Sequence, residues 1–133
     1  MKEANLSEDD ILYFAGKGSS FEIGYEFGTK LLEVGEKTTA IFASSDILAM
    51  GIIKALQEHG KEVPKDYSIV GFDDLEISKI SSPRLTTIRQ DVFNKGVVSA
   101  QTMIDAIEQK VTEPVNITLP IELIVRDSTR RLS

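Results

Sequence analysis

The feature that most constrains this chain is a repeated order of segments: a short apolar run, a polar cluster, then a stretch with helical spacing of apolar residues. Ile11–Ala15 is bounded by Asp10 and Gly16, Thr39–Ala43 is followed by Ser44, Ser45 and Asp46, and Ser68–Phe72 ends at Asp73 and Asp74. Runs of about five apolar residues between turn formers read as buried strands. Between them, Ile23, Phe27 and Leu31 fall on one helical face that ends at Gly35, and Ser19 with Glu22 makes a capping-box pattern at its start. Leu48, Ala49, Ile52, Ile53 and Leu56 form a second stripe, capped by the Ser44–Asp46 cluster and closed by His59 and Gly60.

Strands that alternate with amphipathic helices, and are apolar at successive positions, predict an α/β fold: a doubly wound, mainly parallel sheet covered on both faces. After Ser68–Phe72 a short segment through Ile80 reaches Pro83, and Thr86–Ile88 reads as extended. From Val92 the spacing Val92, Gly96, Ala100, Met103, Ile104, Ile107 is helical, with Pro114 beyond its end. Val115–Leu119 and Ile121–Arg126 read as two further extended pieces. Gly24 and Gly28, four residues apart, predict close packing of their helix on the sheet.

A chain of 133 residues, 41% hydrophobic and without an internal linker, accommodates one domain. Its net charge of -6 opposes a nucleic-acid backbone, so DNA binding is not expected of these residues alone. The absence of cysteine excludes disulfide scaffolds, thiolate nucleophiles and cysteine-held metals. The first ten residues have no apolar core and no later stretch is long enough for a membrane span, so the chain reads as soluble; a cysteine-free acidic domain suits the cytoplasm and equally an exported chain without its signal.

In an open α/β sheet, ligands bind beyond the carboxyl ends of the strands. Gly16–Ser20, Ser44–Asp46 and Asp73–Asp74 all fall there. Taken singly, each is an ordinary helix-capping cluster. Together, hydroxyls and carboxylates around one crevice suit a hydroxyl-rich, sugar-like molecule. GKGSS lacks the end of a P-loop, and Phe21 stands where a dinucleotide fingerprint needs glycine. Adjacent Asp73 and Asp74 should point to opposite sides, and the single histidine, His59, suits a helix terminus better than a catalytic triad. No catalytic residues, cofactor or metal site are therefore expected. An α/β enzyme using Asp73, Asp74 or Asp46 lacks the base, nucleophile or metal it would need.

The pieces AIFASSDILAMG, VPKDYSIVGFDD, SPRLTTIRQ and ELIVRDST, in that order and spacing, resemble the effector-binding domain of the lactose-repressor and galactose-repressor (LacI/GalR) bacterial transcription regulators. The resemblance covers most of the chain. Periplasmic sugar-binding proteins of transport and chemotaxis share the fold but usually lack this set of motifs. The resemblance implies a non-enzymatic, cytoplasmic effector-binding and dimerisation lobe: the C-terminal lobe of a periplasmic-binding-protein-like (type I) core, holding a sugar or nucleobase in a cleft shared with a second lobe. Family effector contacts map onto Ser45 and Asp73. An aromatic contact maps onto Ser19, a departure from the pattern, with Phe21 nearby, and Val92 sits where some members touch ligand. Ser44, Asp46 and Asp74 are assigned as helix caps or supports behind those contacts.

The resemblance further implies that residues 1–133 form a partial effector-binding domain. The helix-turn-helix, the first lobe and this lobe's own first strand lie outside it, and residues 89–110 form the crossover toward the first lobe. DNA would be reached only through that helix-turn-helix. An unpaired sheet and an uncovered face of Val97, Met103, Ile104 and Ile107 predict a homodimer or strand-swapped oligomer.

Overall fold

The structure, a computed structural model, describes residues 11–34, 37–110 and 113–131. The described elements are α1 (Phe21–Val34), β1 (Ala40–Phe42), α2 (Asp46–Glu58), β2 (Ser68–Asp73), α3 (Glu76–Ile80), β3 (Thr86–Gln90), α4 (Val92–Ile107) and β4 (Ile121–Ile124). One sheet runs in the order β1-β2-β3-β4. The first three strands are parallel, with Ala40 opposite Ser68 and Val70 opposite Thr86, while β4 is antiparallel and sets Ile124 opposite Thr87. The mainly parallel α/β architecture is the one the alternation of segments predicts.

The core lies between α2 and the sheet. Leu48, Ala49, Ile52, Ile53 and Leu56, the whole predicted stripe, are buried with Ile69, Leu85 and Leu31. Burial along β2 alternates, with Ile69 and Gly71 covered and Ser68, Val70 and Phe72 partly open. This narrows the expectation of a sheet covered on both faces: α2 packs on one face, and among the described residues the other is covered at Thr86 by the Arg126–Thr129 segment but left open at Phe42. An apolar run records what a strand can bury, and a covering layer must be present to bury it.

Ile11–Ala15 is a second correction, since it joins no ladder. A strand exists only as a hydrogen-bonded pair, and among the described residues β1, the edge strand, pairs only with β2. The segment is held instead by Phe14, which stacks on Phe27 of α1 with ring centroids 5.7 Å apart. Val115–Leu119 likewise lies outside the sheet, whereas Ile121–Ile124 enters it.

The cap of α1 is Ser20, not Ser19: the Ile23 amide donates to the Ser20 hydroxyl at 3.3 Å. Gly35, the expected helix end, lies outside the described residues. Gly24 and Gly28 do serve close packing, but against α2 rather than the sheet. A Cβ on Gly24 would overlap the Leu48 carbonyl, and one on Gly28 would press on Ala55 and Ile52. Gly51 of α2 answers from the other side, opposite the Phe21 carbonyl. His59 is the C-cap of α2, its Nδ1 lying 2.8 Å from the Ala55 carbonyl.

The last segment closes the sheet from below. Buried Ser128 accepts from the Thr86 amide and donates to the Ile69 carbonyl, bridging β2 and β3 through one hydroxyl. No helix among the described residues is long and apolar enough to cross a membrane.

Candidate functional site

Parallel β1, β2 and β3 end at Phe42, Asp73 and Gln90, so the turns that follow share one edge of the sheet. That edge carries Ser45 before α2, Asp73 and Asp74 before α3, and Gln90 and Asp91 before α4. Ser45 is the buried N-cap of α2 and accepts from the Leu48 amide at 3.2 Å. Asp91 caps α4 in the same way through the Asn94 amide. Ser44 is exposed.

The two adjacent aspartates part company. Both are in the left-handed region, Asp73 at φ 113° and Asp74 at φ 55°, a conformation that Asp adopts more readily than most residues. Asp73 accepts from the Gln90 side-chain amide at 2.7 Å, and Gln90 in turn accepts from Lys95. A carboxylate has about four acceptor positions, so Asp73 retains capacity for ligand hydroxyls.

Asp74 turns inward, its side chain 5% exposed. It accepts from Arg126 at 2.5 Å, Arg89 at 2.7 Å and Ser78 at 3.3 Å. Burial works to raise its pKa, but the hydrogen bonds and charges of Arg126 and Arg89 outweigh it and hold the carboxyl below its ordinary value. Asp74 is therefore a buried ionic hub and does not cap α3, whose N-cap, Leu75, has no side-chain bond.

Asp46 begins α2 rather than capping it. Its fully buried carboxylate accepts from the Thr87 hydroxyl and the Leu75 amide. Burial pushes its pKa up; the bonds from Thr87 and Leu75 oppose that, and the charges of Asp73 and Asp74 add to it.

Asp73, Gln90 and Val92 line a cleft of about 770 Å³ with Pro120, Ile121 and Glu122, a size at which small-molecule sites occur. Polar Asp73 and Gln90 together with apolar Val92 and Ile121 suit a ring bearing hydroxyls. Phe21 lines a different groove, with Ile47, Met50 and Ile77. Ser45 and Ser19 line neither. The structure thus joins Asp73 to Val92, puts Ser45 on the same sheet edge, and leaves exposed Ser19 and Phe21 apart from Asp73's cleft. Gln90, Thr87, Arg89 and Arg126 were not singled out in the sequence as site residues. Arg126 lies in VRDST, but only the fold reveals that it reaches Asp74, 52 positions away. Among the described residues no group of three or more His, Asp or Glu side chains could hold a metal ion.

An open α/β sheet with a cleft beyond the carboxyl ends of its parallel strands has the architecture in which small-molecule sites occur. The family model for a periplasmic binding protein-like domain matches residues 1–129, and the chain belongs to that family. Its relatives are regulators of the LacI type. It is 40% identical over 126 residues to the HTH-type transcriptional regulator MalR of Clostridium butyricum, spanning 95% of this chain and 37% of that protein. It is 39% identical over 100 residues to the ribose operon repressor of Halalkalibacterium halodurans, spanning 75% and 30%. A LacI family regulator from Enterococcus faecalis, solved with bound ribose, superposes with a TM-score of 0.77 at 38% identity, covering 87% of this chain and 43% of that one. The chain spans less than half the length of these relatives.

Proposed function

We propose that this chain is the C-terminal effector-sensing lobe of a cytoplasmic LacI-type transcription regulator, binding a sugar-like molecule between itself and a second lobe. Asp73 and Ser45 contact the effector, Gln90 orients Asp73, and Val92 packs beside the ring. Ser19 and Phe21, which lie apart from this cleft, are left out of the effector contacts. Ligand closes the lobes and shifts the population competent to bind operator DNA. No chemical step is involved.

The observation that carries this reading is the half-engaged Asp73 carboxylate, turned to the cleft by a left-handed residue and aligned by Gln90. The ribose bound in the Enterococcus faecalis regulator supports the ligand class. The lobe also pairs with a second copy, as a homodimer or by strand exchange. The edge of β1, which among the described residues pairs only with β2, and the exposed Val97, Met103, Ile104 and Ile107 of α4 favour such pairing.

The test is a titration of the isotope-labelled chain with pentoses and hexoses, followed by nuclear magnetic resonance. Saturable shifts are expected at Asp73, Gln90 and Ser45, and their loss in Asp73→Ala. Shifts elsewhere, or none at millimolar sugar, would overturn the reading.

A further inference from the structure

We propose that Asp46 and Thr87 form a buried positioning device that sets the direction of the Asp73 carboxylate. This rests on the reading of Asp73 as an effector contact, but it is tested below without any effector.

The geometry is a two-point clamp on the turn after β2. The Leu75 amide donates to Asp46 Oδ2 at 2.7 Å. The Asp74 amide donates to Thr87 Oγ1 at 3.4 Å, and that hydroxyl donates its own hydrogen to Asp46 Oδ1 at 2.5 Å. One carboxylate thereby holds two consecutive amides, one directly and one through a hydroxyl from β3. Each amide follows one residue of the left-handed pair, the Asp74 amide after Asp73 and the Leu75 amide after Asp74. Backbone in this region persists only when its surroundings over-determine it.

Gly71 makes room for the clamp: a Cβ there would overlap Asp46 Oδ1. Arg126 and Arg89 grip the Asp74 side chain from the other side, so the turn is held at both its backbone and its side chain. Asp73 alone keeps a free face, and its direction follows from the backbone that Asp46 and Thr87 hold. Neither Asp46 nor Thr87 lines the cleft. They act through Asp73 as positioning residues.

The reporter is the Gln90 side-chain amide, whose resonance position depends on its bond to Asp73. Thr87→Val preserves volume and deletes the hydroxyl. Its Gln90 amide signal is expected to move most of the way to its position in Asp73→Ala. Thr87→Ser, which keeps the hydroxyl, should leave it near the wild-type position, and Asp46→Asn should move it as Thr87→Val does. A folded Thr87→Val with an unmoved signal would overturn the proposal, as would Thr87→Ser shifting it equally. In the unaltered protein the Leu75 amide must be protected from hydrogen exchange. A freely exchanging Leu75 refutes the clamp even if the variants do not fold.

Sugar affinity supplies the second reading. Loss of one positioning bond should weaken it about tenfold in Thr87→Val, and Thr87→Ser should bind within about twofold of wild type; equal weakening in both variants would overturn the positioning role. If the Gln90 signal moves and no sugar binds wild type, the clamp stands and the sugar assignment falls.

Discussion

At the residue scale, Asp73 carries a conformational cost that its side chain partly offsets. At φ 113° an L-residue with a Cβ is strained, and Asp tolerates such geometry better than Ala. Both Asp73→Gly and Asp73→Ala lose the Gln90 bond, so comparing them isolates the backbone. Asp73→Gly should be the more stable of the two by about 1 kcal/mol in urea unfolding, and neither should bind sugar. The buried aspartates make opposite pH contributions. Asp74, whose folded pKa is lowered, gives stability that is complete above the unfolded value of about 3.9 and is lost as pH falls through the folded pKa. Asp46, whose folded pKa is raised, does the reverse: the folded state gains relative stability as pH falls through that raised value. Urea midpoints between about pH 6 and pH 2 should therefore fall less steeply in Asp74→Asn and more steeply in Asp46→Asn than in the unaltered chain. At neutral pH, Asp74→Asn should cost about 3 kcal/mol, because Arg126 at 11% exposure loses its counter-charge.

At the element scale, α1 and α2 meet along glycines whose missing side chains are occupied by the other helix's backbone. The atoms facing Gly24 and Gly51 are main-chain atoms of Leu48, Phe21 and Tyr25, which cannot rotate aside. Gly51→Ala should cost about 3 kcal/mol by overpacking. Gly96, inside α4 with nothing near its missing side chain, predicts the opposite sign: Gly96→Ala should stabilise by about 1 kcal/mol. Thermal melts of the two variants against the parent chain check both values, and equal effects would contradict the distinction. Cap positions separate in the same way. Ser45 and Asp91 bond amides of their own helices, whereas Asp46, one residue along, reaches across to α3. Helix boundaries were readable in the sequence to within a residue or so, as Ser19 for Ser20 illustrates, because capping chemistry repeats at neighbouring hydroxyls.

At the scale of the whole molecule, the packed part of the sheet and the open part belong to one argument. Phe42 on β1 is 62% exposed and Ile107 on α4 is 75% exposed, and α4 has no buried residue at all. Apolar area of this kind, beside a strand edge that no described residue pairs with, favours association. Met103→Glu combined with Ile107→Glu should shift the chain toward monomer in sedimentation at micromolar concentration. Because these side chains touch nothing in the core, its melting temperature should stay close to that of the parent. Unchanged mass would move the interface away from α4.

Local pattern was sufficient for the alternation of elements from α1 to α4, the stripe Leu48–Leu56, the divergence of Asp73 from Asp74 and close packing at Gly24 and Gly28, though not for α2 as their partner, because these follow from side-chain periodicity and backbone preference within a few residues. It also carried the family, through motifs with a fixed spacing. Tertiary structure alone decided that Ile11–Ala15 would not be a strand, that one sheet face would stay partly open, and that Phe21 would line a groove separate from Asp73's cleft. It alone joined Asp46 to Leu75 across 29 positions and Arg126 to Asp74 across 52. A buried carboxylate needs partners wherever the fold brings them, and one chain of residues does not state which distant donors will arrive.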